Sequence, residues 1–427
     1  MNGHSTTLSP VESGAKFSPE LSRVATLLAL SIFINYVDRG NLSIAAPLIK
    51  GELRLSDPQL GVLLSSFFWT YALFQIVSGW LVDRFPANWV LAVGVLTWSV
   101  ATFGTGFVHG FALLLLMRLV LGAGESVAYP SYSKIIAKHF LESQRGRTNA
   151  LISAGQACGP ALGTLLGGLL IARIGWRLFF IALGIASALW LLPWLKAMPK
   201  DEAVAESQRT AAAGMFDILR QRSAWGTFAG LFCYNYLSYF LITWLPSYLV
   251  RERQFSLTRM SVVSAAAFFA IAVSALISGW IADRWIAAGA STTRVRKTFT
   301  GAGPIIACSI VLVSVISNHT LAVTILIFAC VGMGLCTSNL WAVTQTLAGP
   351  HTAGKWTGVQ NFMGNLAGWI APTLTGFVLG RTGRFFWAFA ITAVVTLLGS
   401  AAWIFVVGPV KQVEWAAART SPEFGST

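Results

Sequence analysis

Apolar runs of about 20 residues, each long enough to cross a bilayer as a helix, recur from Ser22 almost to the C-terminus. Backbone in hydrocarbon satisfies its own polar groups only in helices or closed barrels, and runs of this length are helical. Only 11% of the 427 residues are charged, against about 25% in soluble domains. An ordinary soluble enzyme and a disordered chain are therefore excluded. The expected fold is an all-α polytopic membrane protein.

Twelve spans are expected, near 22–49, 57–82, 87–107, 110–138, 146–172, 175–197, 224–250, 258–282, 298–317, 319–347, 354–379 and 385–407. The sizeable interior polar stretch, 198–222, carries eight charges and reads as a linker. It divides the chain into six-helix bundles at 22–197 and 223–407, with a disordered tail at 1–21 and a second tail at 408–427. The run after the first tail contains Asp38-Arg39 and offers no clear small-residue cleavage site, so it does not read as a secretory signal.

Twelve spans place both termini on one side. If that side is the cytoplasm, its segments hold 19 Lys/Arg and the opposite loops hold nine. This bias favours both termini inside a cell (inner) membrane. The net charge of +14 is then a topology signal and not a nucleic-acid footprint. The five cysteines lie inside apolar runs without metal-ligand spacing, and no histidine falls at mid-membrane. No metal site and no enzymatic constellation is expected.

The halves repeat. Ser78-Gly79-Trp80-Leu81-Val82-Asp83-Arg84-Phe85 recurs as Ser278-Gly279-Trp280-Ile281-Ala282-Asp283-Arg284-Trp285, and Gly155-Gln156-Ala157-Cys158-Gly159 faces Gly364-Asn365-Leu366-Ala367-Gly368. Two equivalent halves suggest a midplane site at their interface, reached alternately from each side. Asp83 and Arg84 thus stand at places equivalent to Asp283 and Arg284.

Four charges cannot be assigned to ends or loops: Asp38, Arg39, Arg118 and Glu125. Each costs roughly 2.5–3.5 kcal/mol at a helix centre, and apolar packing would hold helices together without that penalty. Arg118 and Glu125, seven residues apart, share a face about 10 Å apart along the axis. Asp38 and Arg39 fall between them in depth, so either an Asp38–Arg118 or an Arg39–Glu125 pair is feasible. A guanidinium presents a fork suited to a carboxylate, while a buried carboxylate can gain and lose a proton. The pattern reads as anion recognition coupled to proton binding. Neutral candidates are Tyr36, Tyr71, Gln156, Asn235, Tyr239, Ser338, Asn339, Trp341, Asn361 and Asn365, with Gln156 and Asn365 favoured by the repeat.

At these residues the chain resembles the major facilitator superfamily, and within it the anion:cation symporter family that includes bacterial hexuronate, glucarate and D-galactonate transporters. Asn35-Tyr36-Val37-Asp38-Arg39-Gly40-Asn41-Leu42, Arg118-x6-Glu125, Asn361-x3-Asn365 and Val407-Gly408-Pro409-Val410 carry the resemblance. It implies two pseudo-symmetric six-helix bundles rocking about a central cavity. It also implies proton coupling at Asp38 and Glu125 and a cytoplasmic gate at Asp83, Arg84, Asp283 and Arg284. Arg39, Arg118, Tyr36, Tyr71, Gln156, Ser338, Trp341 and Asn361 would surround the substrate or hold the coupling network. The chain departs from the superfamily's loop signature after span two, where Pro86 replaces a glycine and Asn88 a basic residue.

The implied function is proton-coupled uptake of a small organic anion, a sugar acid such as a hexonate, hexuronate or aldarate. Such a carrier needs no cofactor beyond the proton gradient, no nucleotide and no nucleic acid. Its partners are the anion, protons and membrane lipid, and it functions as a monomer. The rival is a drug:proton antiporter, because Gly155-x3-Gly159-Pro160-x2-Gly163 and Arg118-x3-Gly122-x-Gly124 resemble antiporter motifs. Gly349-x4-Gly354-Lys355 mimics a phosphate loop, but Trp356 stands where Ser/Thr is required and no strand precedes it.

Overall fold

The computed structural model describes residues 17–55, 57–198 and 213–415. Residues 1–16, 199–212 and 416–427, which hold most of both expected tails and of the linker, lie outside the described residues. The first helix, Pro19–Glu52, starts where Ser18 Oγ accepts the Leu21 backbone N–H. Proline in its first turn suits a position whose N–H has no helical partner.

Among the described residues, ten stretches are long and apolar enough to cross a membrane. Two helices, Glu142–Leu189 and His319–Asn365, turn back on themselves at a glycine with positive φ, which gives twelve crossings among the described residues. At Gly349 (φ 67°) the helix His319–Asn365 reverses. Thr344 Oγ1 then donates to Gln360 Oε1 at 2.7 Å, although a straight helix would hold those residues about 24 Å apart. At Gly175 (φ 76°) the helix Glu142–Leu189 does the same: Ser187 and Gly163, on either side of the turn, both meet the Val37–Asp38 turn of the first helix. An L side chain is strained at such φ values. Span four is interrupted between Phe111–Glu125 and Ala128–His139, directly after the buried acid.

Leu73 (63% exposed) and Phe269 (67%) represent an outer surface as apolar as the interior, as hydrocarbon contact requires. Helices cross where glycines let backbones meet. A Cβ on Gly79 would lie 2.7 Å from the Gly354 carbonyl, and one on Gly279 would lie 2.5 Å from that of Gly146. Span two therefore crosses span eleven, and span eight crosses span five, by the same device. The glycines of the two antiporter-like motifs are used the same way. Gly155, Gly159 and Gly163 seat span five on the Ala29–Val37 face of span one, and Gly122 and Gly124 seat span four on spans two and three.

Candidate functional site

Span one brings Arg39 to Glu125 of span four. Arg39 Nη2 and Nε donate to Glu125 Oε2 at 2.9 and 3.1 Å. Nη2 also donates to Asn35 Oδ1, one helical turn back, at 3.1 Å. Of the two pairings left open by depth, the structure makes Arg39–Glu125. Asp38, the next residue, points about 100° away around the helix; there its Oδ2 accepts the Ser187 hydroxyl at 2.9 Å.

Aromatic rings hold the Arg39 guanidinium. Its central carbon lies 4.5 Å from the Tyr36 ring centroid, 4.5 Å from that of Tyr71 and 4.6 Å from that of Phe67. Arg118 shares the Phe67 ring at 5.3 Å. Both cations therefore sit at one place in the first half, each over an aromatic ring face. Glu125 Oε1, Asp38 Oδ1 and Arg118 Nε are buried without a hydrogen-bond partner among the described residues. Unsatisfied buried polar atoms of this kind are costly and mark a place built for something besides packing.

Neutral groups extend the cluster. Gln156 Nε2 donates to the Tyr36 hydroxyl at 2.9 Å, and the Tyr129 hydroxyl donates to Gln156 Oε1. Tyr129 in turn stacks on Trp341 of the second half, with ring centroids 4.9 Å apart. The second half repeats the motif. The Tyr239 hydroxyl donates to Asn365 Oδ1 at 2.7 Å, and Asn365 Nδ2 reaches the Asn361 backbone carbonyl at 2.7 Å and Asn361 Oδ1 at 3.2 Å. Each half thus ties an amide of its span five or eleven to a tyrosine of its span one or seven. Phe68 meets Tyr239 edge-on at 6.5 Å across the gap, and Tyr239 lies within electrostatic reach of Arg39.

Ser338 is elsewhere. Fully buried, its hydroxyl bonds to that of Ser278 at 3.0 Å, just as Ser126 bonds Ser78 at 2.7 Å in the first half. The repeat accounts for it as a helix–helix tie. Asn339 accepts from Arg296 Nη1 at 2.9 Å.

At one end of the molecule two carboxylates clamp the halves together. Asp83 accepts the backbone N–H groups of Gly354 (3.0 Å) and Lys355 (2.9 Å), in the first turns after the Gly349 reversal. Asp283 accepts those of Gly146 (2.9 Å) and Arg147 (2.7 Å), in the second turn of the helix beginning at Glu142. A carboxylate near the start of a helix meets backbone N–H groups on the positive side of the helix dipole. A Cβ on Gly354 would stand 2.6 Å from Asp83 Oδ1, so glycine is required there. Arg296 Nη2 adds an ion pair to Asp283 at 3.1 Å, and Lys134 faces Asp83 at 3.9 Å. Arg84 and Arg284 do not join the clamps; they lie over Trp80 and Trp280, each at 5.3 Å, on their own helices.

The same end holds interface residues that sequence reasoning passed over. Asn149 and Gln345 exchange two hydrogen bonds, 2.9 and 3.0 Å, between spans five and ten. Glu142 accepts from Thr346 of the other half at 2.6 Å and from Arg296 at 3.3 Å. Their sign in the sequence is only a polar residue near a span end, which is how solvated termini also read. Asn35, Phe67, Tyr129 and Ser187 were likewise invisible as site residues before the helices were placed.

The Major Facilitator Superfamily profile matches residues 28–372. The hexuronate transporter of Bacillus subtilis (strain 168) is 30% identical over 413 residues, covering 92% of this chain and 96% of the relative. A probable galactarate/D-glucarate transporter of Escherichia coli (strain K12), GarP, is 30% identical over 425 residues, covering 91% and 96%. Among solved structures, that of the proton:xylose symporter XylE superposes with a TM-score of 0.74 at 12% identity, covering 92% of this chain and 97% of that one. The two clamped, pseudo-symmetric halves and the matched profile together place this multi-pass membrane protein in the Major Facilitator Superfamily.

Proposed function

We propose that the protein is a proton-coupled symporter that takes up a sugar-acid anion by alternating access. It would lie in the cell (inner) membrane with both termini cytoplasmic, act as a monomer and need no cofactor besides the proton gradient. The observation that carries this reading is that Glu125 occupies the guanidinium of Arg39. Protonating Glu125 frees that fork, and a substrate carboxylate takes its place. Proton and anion then enter together, because neither satisfies the site alone. Asp38, held on the Ser187 hydroxyl beside this pair, is the second proton site.

The clamps supply the alternation. With Asp83 and Asp283 engaged, one end is shut and the site faces the other; releasing both lets the halves rock the opposite way. We take the shut end to be cytoplasmic, because it carries Lys134, Arg145, Arg147, Arg296 and Lys297. The names of the curated relatives support a sugar acid as cargo. The glycines behind the export reading are occupied in helix contacts and lend it no weight.

Glu125→Gln tests the coupling step. The amide mimics the protonated acid, so binding and substrate–substrate exchange in proteoliposomes should persist while accumulation driven by a pH gradient is lost. If Glu125→Gln vesicles concentrate the anion as wild type does, Glu125 is not the coupling acid.

A further inference from the structure

Away from the central site, the ends of three helices of the second half meet around two cations. Span twelve finishes at residues 402–407, where its last carbonyls have no partner further along the helix. Lys297, in the early turns of the helix Thr292–Ala307, donates from Nζ to the carbonyls of Ile404 (2.9 Å) and Val407 (2.5 Å). Arg222, the first residue of the helix Arg222–Arg251, donates from Nη2 to that of Phe405 at 2.8 Å. The two cations lie within electrostatic reach of each other. Arg296, next to Lys297, pairs with Asp283, so this junction belongs to the clamped end.

Tying helices together accounts for the carbonyl contacts but not for the charge. The first half joins its equivalent spans with neutral donors. There the Trp190 indole donates to the Leu27 carbonyl at 2.9 Å and the Trp194 indole to that of Asn88 at 3.2 Å. The second half puts two full positive charges in the same place. A helix C-terminus offsets about half a charge, and among the described residues those carbonyls are the partners of Arg222 and Lys297. Donors also remain unused: a third ammonium proton on Lys297, and Nε and Nη1 of Arg222. Trp225, one turn from Arg222, is 49% exposed with its indole held on the Leu219 carbonyl at 2.9 Å, and Phe405 is 71% exposed. Tryptophan beside cations at a span end marks the level of lipid headgroups.

We propose that this junction binds the phosphate of an anionic phospholipid. Arg222 and Lys297 hold the phosphate, and Trp225 and Phe405 lie against the glycerol and the upper acyl chains. Basic pockets between helices hold lipid headgroups in this way, and a guanidinium suits phosphate oxygens. The net negative charge balances what the carbonyls leave over. A zwitterionic headgroup would instead bring its own ammonium among cations. The bound lipid fastens the end of span twelve to spans seven and nine, and it takes no part in carrying cargo or protons.

The test adds phosphatidylglycerol, or phosphatidylcholine with the same acyl chains, to the full-length purified protein in detergent. Bound lipid is measured by native mass spectrometry, with thermal stabilisation as a second readout. Glutamine removes the charge but keeps a neutral donor for the carbonyls. Each cation near a membrane surface contributes about fivefold to affinity for anionic lipid. Arg222→Gln should therefore weaken phosphatidylglycerol binding about fivefold, and Arg222→Gln with Lys297→Gln about 25-fold, with phosphatidylcholine binding unchanged. Arg23→Gln, which removes an exposed cation at the start of span one, should change it less than twofold. Equal binding of the two lipids by wild type overturns the site, as does unchanged phosphatidylglycerol binding in the double variant. An equal loss in Arg23→Gln overturns it in favour of general charge attraction. Inorganic phosphate that stabilises the protein as strongly as phosphatidylglycerol overturns the lipid as occupant. If the double variant loses monodispersity, Arg222→Gln, at an exposed position, decides alone: binding within twofold of wild type overturns the proposal.

Discussion

Asp283 and Arg284 are adjacent in sequence, yet the structure assigns them opposite importance, and this contrast yields a sharp prediction. Asp283 accepts two backbone N–H groups from the other half, at 2.9 and 2.7 Å, and an arginine at 3.1 Å. In Asp283→Asn one oxygen becomes an NH2 that faces a donor, and Arg296 keeps only Glu142 as an anionic partner. Hydrogen bonds to a charged group contribute about 1.5–3 kcal/mol each. Losing one outright and weakening the rest should cost the shut conformation about 3 kcal/mol, or roughly a hundredfold in its ratio to the open one. The open conformation separates Asp283 from Gly146 and Arg147 and is spared the cost of those contacts. Ser153, 5% exposed and facing Thr337 across the halves at 3.4 Å, is a suitable reporter as Ser153→Cys with the native cysteines replaced. Maleimide labelling of that position should accelerate by about two orders of magnitude in Asp283→Asn. Arg284→Gln, which only uncovers Trp280, should change it less than threefold. Unchanged labelling in Asp283→Asn, or equal acceleration in both variants, would refute the clamp argument.

Asn149 and Gln345 should behave as a coupled pair. Asn149→Leu or Gln345→Leu alone strands a buried amide and should lower thermal stability, while the double variant recovers most of the loss, giving a coupling energy of about 1–3 kcal/mol in a double-mutant cycle. Arg118→Lys keeps the charge but not the planar fork, so uptake should fall at least tenfold with unchanged monodispersity; intact uptake kinetics would remove Arg118 from the substrate path. Glu52, outside the membrane-spanning segments, has its carboxyl held below the usual 4.5 by hydrogen bonds from Arg177 and Trp176. A depressed pKa means the stabilisation is present above the ordinary value and is lost as pH falls through the lowered one. Wild type and Glu52→Gln should therefore differ slightly in melting temperature at pH 7 and converge near pH 3.

Much of the architecture was legible because a bilayer permits so few solutions. An apolar run of 20 residues must be a helix, and a charge inside one must be compensated, so twelve crossings and the four residues Asp38, Arg39, Arg118 and Glu125 stood out from type and spacing alone. The Gly155–Gly159 and Gly364–Gly368 segments likewise marked Gln156 and Asn365 before any helix was placed.

Rotation and approach were not legible, since a linear pattern states depth along a helix but not which neighbour each face meets. Depth allowed Asp38–Arg118 as readily as Arg39–Glu125. The 100° between consecutive residues on span one, with span four on one side and span six on the other, decided that Arg39 meets Glu125 while Asp38 meets Ser187. The same step separates Asp83 and Asp283, which face the opposite half, from Arg84 and Arg284, which lie over their own tryptophans. Asn149 and Gln345 are 196 positions apart and become one contact only because glycines at the crossings let spans from different halves close to backbone distance. Side-chain chemistry set which groups needed partners, and the packing of helices chose them.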